Sequence, residues 1–154
     1  MLKKSEVDIV LVAISSPILI GIYEDCKLLE LIKSDEKSSE VLPQIYKNIF
    51  ETYSVKSLFY ANGPGSFMAI KVSYIFLKSL SILKKIPLYA RDAFYFNNNE
   101  AIKAIGKLYF VKIASEIKTQ KLETVPSVKF KLPDVLDYNE FSTAATPYYG
   151  IGAV

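Results

Sequence analysis

Hydrophobic positions along the chain fall into short continuous runs and into spacings of three and four, and the two patterns mark different elements. Ile9 to Ile14 is an unbroken apolar run of β-forming residues, as expected of a strand covered on both faces. Ile18 to Tyr23 is a second run, Glu24-Asp25 marks a turn, and Lys27 to Lys33 is a third run. Three strands joined this closely predict an antiparallel meander. Asp35 to Ser39 is polar and ends in an N-cap candidate, and Pro43 then falls in the first helical turn, where its missing N–H costs least. The helix runs to about Tyr53, with Val41, Leu42, Ile45, Ile49 and Tyr53 recurring at spacings of three and four. Ser57 to Ala61 reads as a strand, Phe67 to about Lys85 as a long helix, and Leu88 to Ala90 as a strand. Strand, helix and strand of these lengths imply a parallel crossover. The predicted order is βββαβαβ, an α/β mixed sheet with helices.

Beyond this point the pattern weakens. Asn97-Asn98-Asn99 reads as a boundary and divides the chain into a lobe over 1–97 and a short α+β lobe over 98–154. In the second part Leu108 to Ile113 predicts a strand, Val125 to Leu132 another, and Asp134 to Phe141 a short helix or turn.

Strand Ser57–Ala61 meets the long helix through Asn62-Gly63-Pro64-Gly65-Ser66-Phe67. Glycine can take positive φ, proline holds φ at about −65°, and Ser66 can cap the helix that follows. Free N–H groups at such a turn offer an anion site, whereas the plainer reading is close packing of helix on strand. The spacing of two glycines is a weak signal, and the structural reading of Gly63, Pro64, Gly65 and Ser66 is favoured.

Composition narrows the chemistry. The chain of 154 residues can bury a core, and its 51% hydrophobic and 23% charged residues are globular values. With no histidine, Ser-His-Asp and Cys-His catalysis and histidine metal sites drop out. Cys26 is the one cysteine, so no intrachain disulfide forms, and it reads as an ordinary strand residue. The net charge of +3 comes almost wholly from lysine, Arg91 being the one arginine, which does not indicate direct RNA binding. Ile9 to Tyr23 is uncharged and follows Lys3 and Lys4, as a signal segment would. It is shorter than a membrane span of about 20 residues and is broken at Ser15-Ser16-Pro17, so two strands explain it better.

On a wheel at about 100° per residue, Lys71, Lys78, Ser81 and Lys85 share one stripe of the long helix. Val72, Phe76, Leu80 and Leu83 form the predicted core face, and Ile75 and Ile82 lie away from it. On the first helix Tyr46 and Phe50 flank the Leu42–Ile45–Ile49 stripe. A helix apolar on more than one side is either deeply buried or has a partner.

The motifs Ser38-Ser39-Glu40-Val41-Leu42-Pro43, Gly63-Pro64-Gly65-Ser66-Phe67 and Ile86-Pro87-Leu88, in this order, resemble the TsaB (YeaZ) family over about residues 8 to 96. That family is the non-catalytic partner in bacterial tRNA threonylcarbamoyladenosine synthesis. Met68, Ala69 and Lys71 stand where it usually has Thr, Gly and Arg, and Ser38 where it has His. The resemblance implies the first-lobe fold of the actin/Hsp70/sugar-kinase (ASKHA) superfamily, followed by an abbreviated second lobe. It also implies a cytoplasmic scaffold that binds a TsaD-like protein as main partner, and itself as a homodimer, through the two helices. On this chain those helices offer Tyr46, Phe50, Phe67, Ile70, Lys71, Tyr74, Ile75, Lys78 and Ile82. A TsaE-like ATPase would join through the complex, with tRNA touched only indirectly and no membrane involved.

Enzymatic chemistry has less support. Superfamily ATPases and kinases resemble one another in an acid at the first strand–turn–strand, but Ala13-Ile14-Ser15-Ser16-Pro17-Ile18 holds no acid or glycine. Mg²⁺ needs one or two carboxylates beside the phosphates. Glu24 and Asp25 lie at the far end of the second strand, and the chain has no GxxxxGK[ST] loop. No catalytic residue, metal or cofactor is expected. The alternatives are a small stand-alone nucleotide-binding enzyme of the ASKHA superfamily and a secreted or anchored structural protein.

Overall fold

Continuous apolar runs demand cover on both faces, and the structure supplies it. The computed structural model describes residues 3–124 and 129–150. Strands β1 (Glu6–Val12), β2 (Ile18–Glu24) and β3 (Lys27–Ser34) form the meander, followed by α1 (Ser38–Thr52), β4 (Ser54–Ala61), α2 (Phe67–Lys84) and β5 (Leu88–Arg91). They make one five-stranded sheet in the order β3-β2-β1-β4-β5. β1 is antiparallel to β2, with Asp8 opposite Tyr23 and Val12 opposite Leu19, and parallel to β4, which is parallel to β5. The predicted order βββαβαβ and its parallel crossovers are therefore present.

Alternate residues of β1 serve two cores. Val7, Ile9 and Leu11 face α1 and α2 together with Ile20, Ile22, Leu58 and Tyr60. Val10 and Val12 face the opposite side with Tyr23 and Phe59, beneath Phe94, Phe96, Ile102, Phe110, Leu132 and Leu136. Residues after 97 thus cover the second face of the same sheet. They include a second sheet of β6 (Ile102–Lys103), β7 (Leu108–Ile113) and β8 (Glu116–Lys121), in the order β6-β7-β8.

Several local expectations change. β8 was not expected, because its sequence EIKTQK is polar and five of its six residues are exposed; it exists by pairing with β7. Of the expected strand Val125–Leu132, residues 125–128 lie outside the described residues and 129–132 are irregular, anchored by Lys131 N–H donating to the Phe96 carbonyl at 2.7 Å. Asp134–Phe141 holds a short 3₁₀ turn, Tyr138–Glu140. Cys26 is a turn residue, not a strand residue, at φ 64° beside Asp25 at φ 50°. α1 begins one residue after Lys37, which has no side-chain cap bond, so Pro43 sits in the second turn and not the first.

The largest correction concerns α2. Its buried residues are Ile70, Ser73 and Leu77; of the expected Val72–Phe76–Leu80–Leu83 face, Phe76 and Leu80 pack against the core as half-buried residues, whereas Leu83 is 74% exposed. Ser73 tolerates burial because its hydroxyl donates to the Ala69 carbonyl at 2.8 Å.

Candidate functional site

The turn that opens α2 is held in place by the end of the described chain. Ser142 and Ala90 exchange backbone hydrogen bonds at 2.9 Å, the Tyr60 hydroxyl donates to the Ala145 carbonyl, and Asn62 Nδ2 donates to the Thr146 carbonyl at 2.9 Å. The Tyr148 N–H then donates to the Asn62 carbonyl at 2.8 Å, and Tyr149 stacks on Phe67 at 4.6 Å. Gly63 has φ 120°, and a Cβ there would lie 1.9 Å from the Tyr148 oxygen. Gly65 does not have positive φ; it is required because a Cβ would lie 2.4 Å from Ile14 Cγ2. Gly63 and Pro64 are buried under this strap, while Ser66 is exposed and caps α2 through a 3.5 Å contact with the Ala69 N–H.

The helices present the candidate partner surface, and the structure separates the expected residues into two groups. Ile75 and Ile82 are 55% and 67% exposed, and Lys71 and Lys78 are exposed beside them. Phe50 is half-buried and carries Lys84 Nζ over its ring at 5.3 Å; Phe67 is partly covered by Tyr149. Tyr46 and Ile70, by contrast, are each 1% exposed and belong to the interior. Tyr46 meets Phe76 edge to face at 5.1 Å, at the base of a groove between α1 and α2, and burial pushes its hydroxyl pKa upward. Tyr74 is half-buried against Tyr60. Tyr46 was expected at the edge of the α1 core stripe and Ile70 among the partner-facing residues that the resemblance implies; both are interior because they are packed in the two cores of the sheet.

Met68, not among the expected partner-facing residues, is 67% exposed and extends the stripe of Ile75 and Ile82, while Leu83, expected on the core face, is 74% exposed and lies about 100° round the helix from Ile82. The signal for Met68 was available, since Met68, Ile75 and Ile82 recur every seven residues. The groove between α1 and α2, about 450 Å³, is lined by Lys4, Lys47, Phe50, Glu51, Leu80 and Lys84 among others.

A second cleft, about 510 Å³, lies where the N-termini of α1 and α2 converge on the turn after β1. Ser15, Ser16, Ser38, Ser39 and Ser66 line it with Lys37, and so do Asp35 and Glu36, which the sequence reading did not connect with that turn. The Ser16 hydroxyl donates to Asp35 Oδ1 at 3.1 Å. Among the described residues no group of three or more Cys, Asp or Glu side chains is placed to hold a metal. No helix among them is long and apolar enough to cross a membrane.

One buried carboxylate stands apart from both surfaces. Asp8 is fully buried on β1, and its Oδ1 accepts from the Tyr138 hydroxyl at 2.6 Å. Oδ2 has no hydrogen-bond partner among the described residues. Burial pushes the Asp8 carboxyl above the ordinary range, against the opposing pull of the Tyr138 hydrogen bond and the Lys56 charge.

No family model matches the chain, and no curated protein matches it in sequence. Solved structures do match its fold. YeaZ from Pseudomonas aeruginosa superposes with TM-score 0.54 at 15% identity, over 78% of this chain and 67% of that one. An uncharacterized protein with similarity to peptidase YeaZ from Pseudomonas aeruginosa gives TM-score 0.53 at 15% identity, over 79% of this chain and 66% of that one. The fold is therefore YeaZ-like, and the chain spans about two thirds of the length of these neighbours.

Proposed function

We propose that this chain is a TsaB-type, non-catalytic scaffold. It would bind a TsaD-like protein and support transfer of a threonylcarbamoyl group to the tRNA adenosine next to the anticodon, acting in the cytoplasm. The observation that carries this reading is an exposed apolar stripe on α2, opened by the GPGSF turn, on a YeaZ-like fold. Four large apolar side chains more than half exposed on one helix are more than a solvated surface needs. In this reading residues 1–97 form an ASKHA-type first lobe that presents Phe50, Phe67, Lys71, Ile75, Lys78 and Ile82, and residues 98–154 stand in for the second lobe. The TsaD-like partner supplies the catalytic metal, and a TsaE-like ATPase docks on the pair. Co-purification from the source cells, with mass spectrometry of tRNA nucleosides after deletion of the gene, tests it. Recovery of a TsaD-like protein and loss of the modified adenosine are expected; an unchanged nucleoside profile overturns the reading.

A second reading has one observation in its favour. The serine-lined cleft between two helix N-termini is where a phosphate would be held in a stand-alone nucleotide-binding enzyme. Asp35 and Glu36 at its rim oppose an anion unless a cation accompanies it. Steady-state ATP hydrolysis by the purified chain, lost in a Ser39→Ala or Ser66→Ala variant, would promote this reading over the scaffold.

A further inference from the structure

A further cavity, about 380 Å³, lies at the carboxyl ends of β4 and β5. The first sheet brings Asn62 and Arg91 to it, the second sheet brings Ile117, and the strap brings Glu140, Ser142 and Tyr148. It shares no lining residue with the α1–α2 groove or with the serine-lined cleft. Arg91, the one arginine of the chain, is fixed in place here and under-used. Its Cζ lies 5.1 Å over the Tyr95 ring, and Nη1 donates to the Glu140 carbonyl at 3.3 Å. Among the described residues that is the guanidinium's one hydrogen bond, so its other N–H donors are open. Nε is buried and has no hydrogen-bond partner among them; Asp92 Oδ2 stands 3.6 Å away, outside hydrogen-bond reach. Asp92 is committed elsewhere, with Oδ2 accepting from Lys112 Nζ at 2.7 Å and Oδ1 from the Phe94 N–H at 3.0 Å. The Glu140 carboxylate reaches Nη1 only at 3.5 Å. An arginine with open donors matches a carboxylate, which accepts two parallel N–H bonds from the guanidinium fork.

Charge decides what else the occupant carries. Asp92 and Lys112 cancel, which leaves Arg91 and Glu140 side by side as one cation and one acid. A simple anion drawn to Arg91 meets Glu140, and a simple cation drawn to Glu140 meets Arg91. A small zwitterion with its two charges on neighbouring atoms satisfies both, replacing a loose 3.5 Å ion pair by two charge-assisted contacts. Asn62 and Ser142 give the wall polar groups, and Ile117 gives it an apolar one. We propose that this pocket binds a free α-amino acid, with its carboxylate on Arg91 and its ammonium on Glu140. The pocket is separate from the helix face on which the proposed function rests, so either can fail without the other.

The test is a thermal-shift screen of the purified chain with each standard L-amino acid in turn at about 10 mM. At least one is expected to raise the melting temperature by about 2 °C or more. Calorimetry with that amino acid is expected to give a saturable isotherm with one site per chain. The amine alone and the carboxylic acid alone, each bearing the same side chain, are expected to bind about tenfold or more weakly. The amino acid itself is expected to lose about tenfold or more in affinity for Arg91→Lys, which keeps the charge and loses the fork, and for Glu140→Gln. The Glu140 side chain is 43% exposed and its substitution leaves the backbone carbonyl in place, so Glu140→Gln decides the matter if the Arg91 variant does not fold. No shift with any amino acid overturns the proposal, as does binding that both substitutions leave unchanged. A carboxylic acid or inorganic phosphate that binds wild type as tightly as the amino acid makes the pocket a plain anion site and also overturns it.

Discussion

Adding one methyl group at Gly63 tests how the turn and the strap depend on each other. In Gly63→Ala the new Cβ would lie 1.9 Å from the Tyr148 oxygen and 3.1 Å from Ile70 Cδ1. The second contact is relieved by a small side-chain shift, but the first is with backbone, so the strap must move. Holding alanine at φ 120° costs about 1–3 kcal/mol by itself. Moving the strap threatens the Tyr148 N–H to Asn62 bond at 2.8 Å and the Asn62 to Thr146 bond at 2.9 Å, each worth about 0.5–1.5 kcal/mol net. The sum is about 2–6 kcal/mol, a large share of the roughly 5–15 kcal/mol that stabilises a typical domain. At about 2–4 °C per kcal/mol for this chain length, the melting temperature should fall by about 5–20 °C. Limited proteolysis should cut the variant within the strap, near Tyr148, at denaturant concentrations that leave wild type intact. Gly65→Ala is the control: φ there is not positive, and the clash is with the Ile14 Cγ2 methyl and not with backbone, so a smaller loss of about 1–3 kcal/mol is expected. If Gly63→Ala melts within a degree or two of wild type, the strap does not bear on the turn and the argument fails.

The helix faces give the next tests. Ile75→Glu, at a site 55% exposed, should change stability by less than about 1 kcal/mol, yet cost about 2 kcal/mol or more in affinity for a TsaD-like protein by calorimetry. A variant that unfolds instead would show Ile75 to be core. Leu77→Ala, at 0% exposure, should cost about 2–5 kcal/mol in chemical denaturation, whereas Leu83→Ala, at a residue 74% exposed, should cost less than about 0.5 kcal/mol. Equal losses would return Leu83 to the core face. Asp8 predicts a pH dependence: its folded-state pKa is raised above the ordinary value of 3.8, so its contribution to stability is complete below that value and is lost as pH rises through the folded-state pKa. Asp8→Asn should therefore be more stable relative to wild type at pH 7 than at pH 4, and urea midpoints that differ by the same amount at both pH values would refute it.

Local pattern alone determined the order of elements. The runs Ile9–Ile14 and Ile18–Tyr23 predict buried strands because apolar side chains on both faces require cover on both faces, and β1 and β2 are such strands. The parallel crossovers follow from element lengths, and the helix start at Phe67 follows from the Gly-Pro-Gly-Ser turn before it. What the pattern does not hold is the phase of a helix that is apolar nearly all round. Ile70, Ser73 and Leu77 are buried and Ile75, Ile82 and Leu83 are exposed, a phase that apolar positions spread round the whole helix do not specify. The same limit placed Tyr46 at an edge when it is interior. β8 was invisible because it pairs with β7 along its length while Ile117 is its one residue packed against the core, so its sequence carries no strand pattern. Contacts between distant segments belong wholly to the tertiary structure: Tyr148 against Gly63, Tyr138 on Asp8, and Asp35 and Glu36 beside Ser15 and Ser16. Periodicity records what each residue needs from its neighbours along the chain, whereas the surface that meets a partner is what remains after the two cores have taken what they bury.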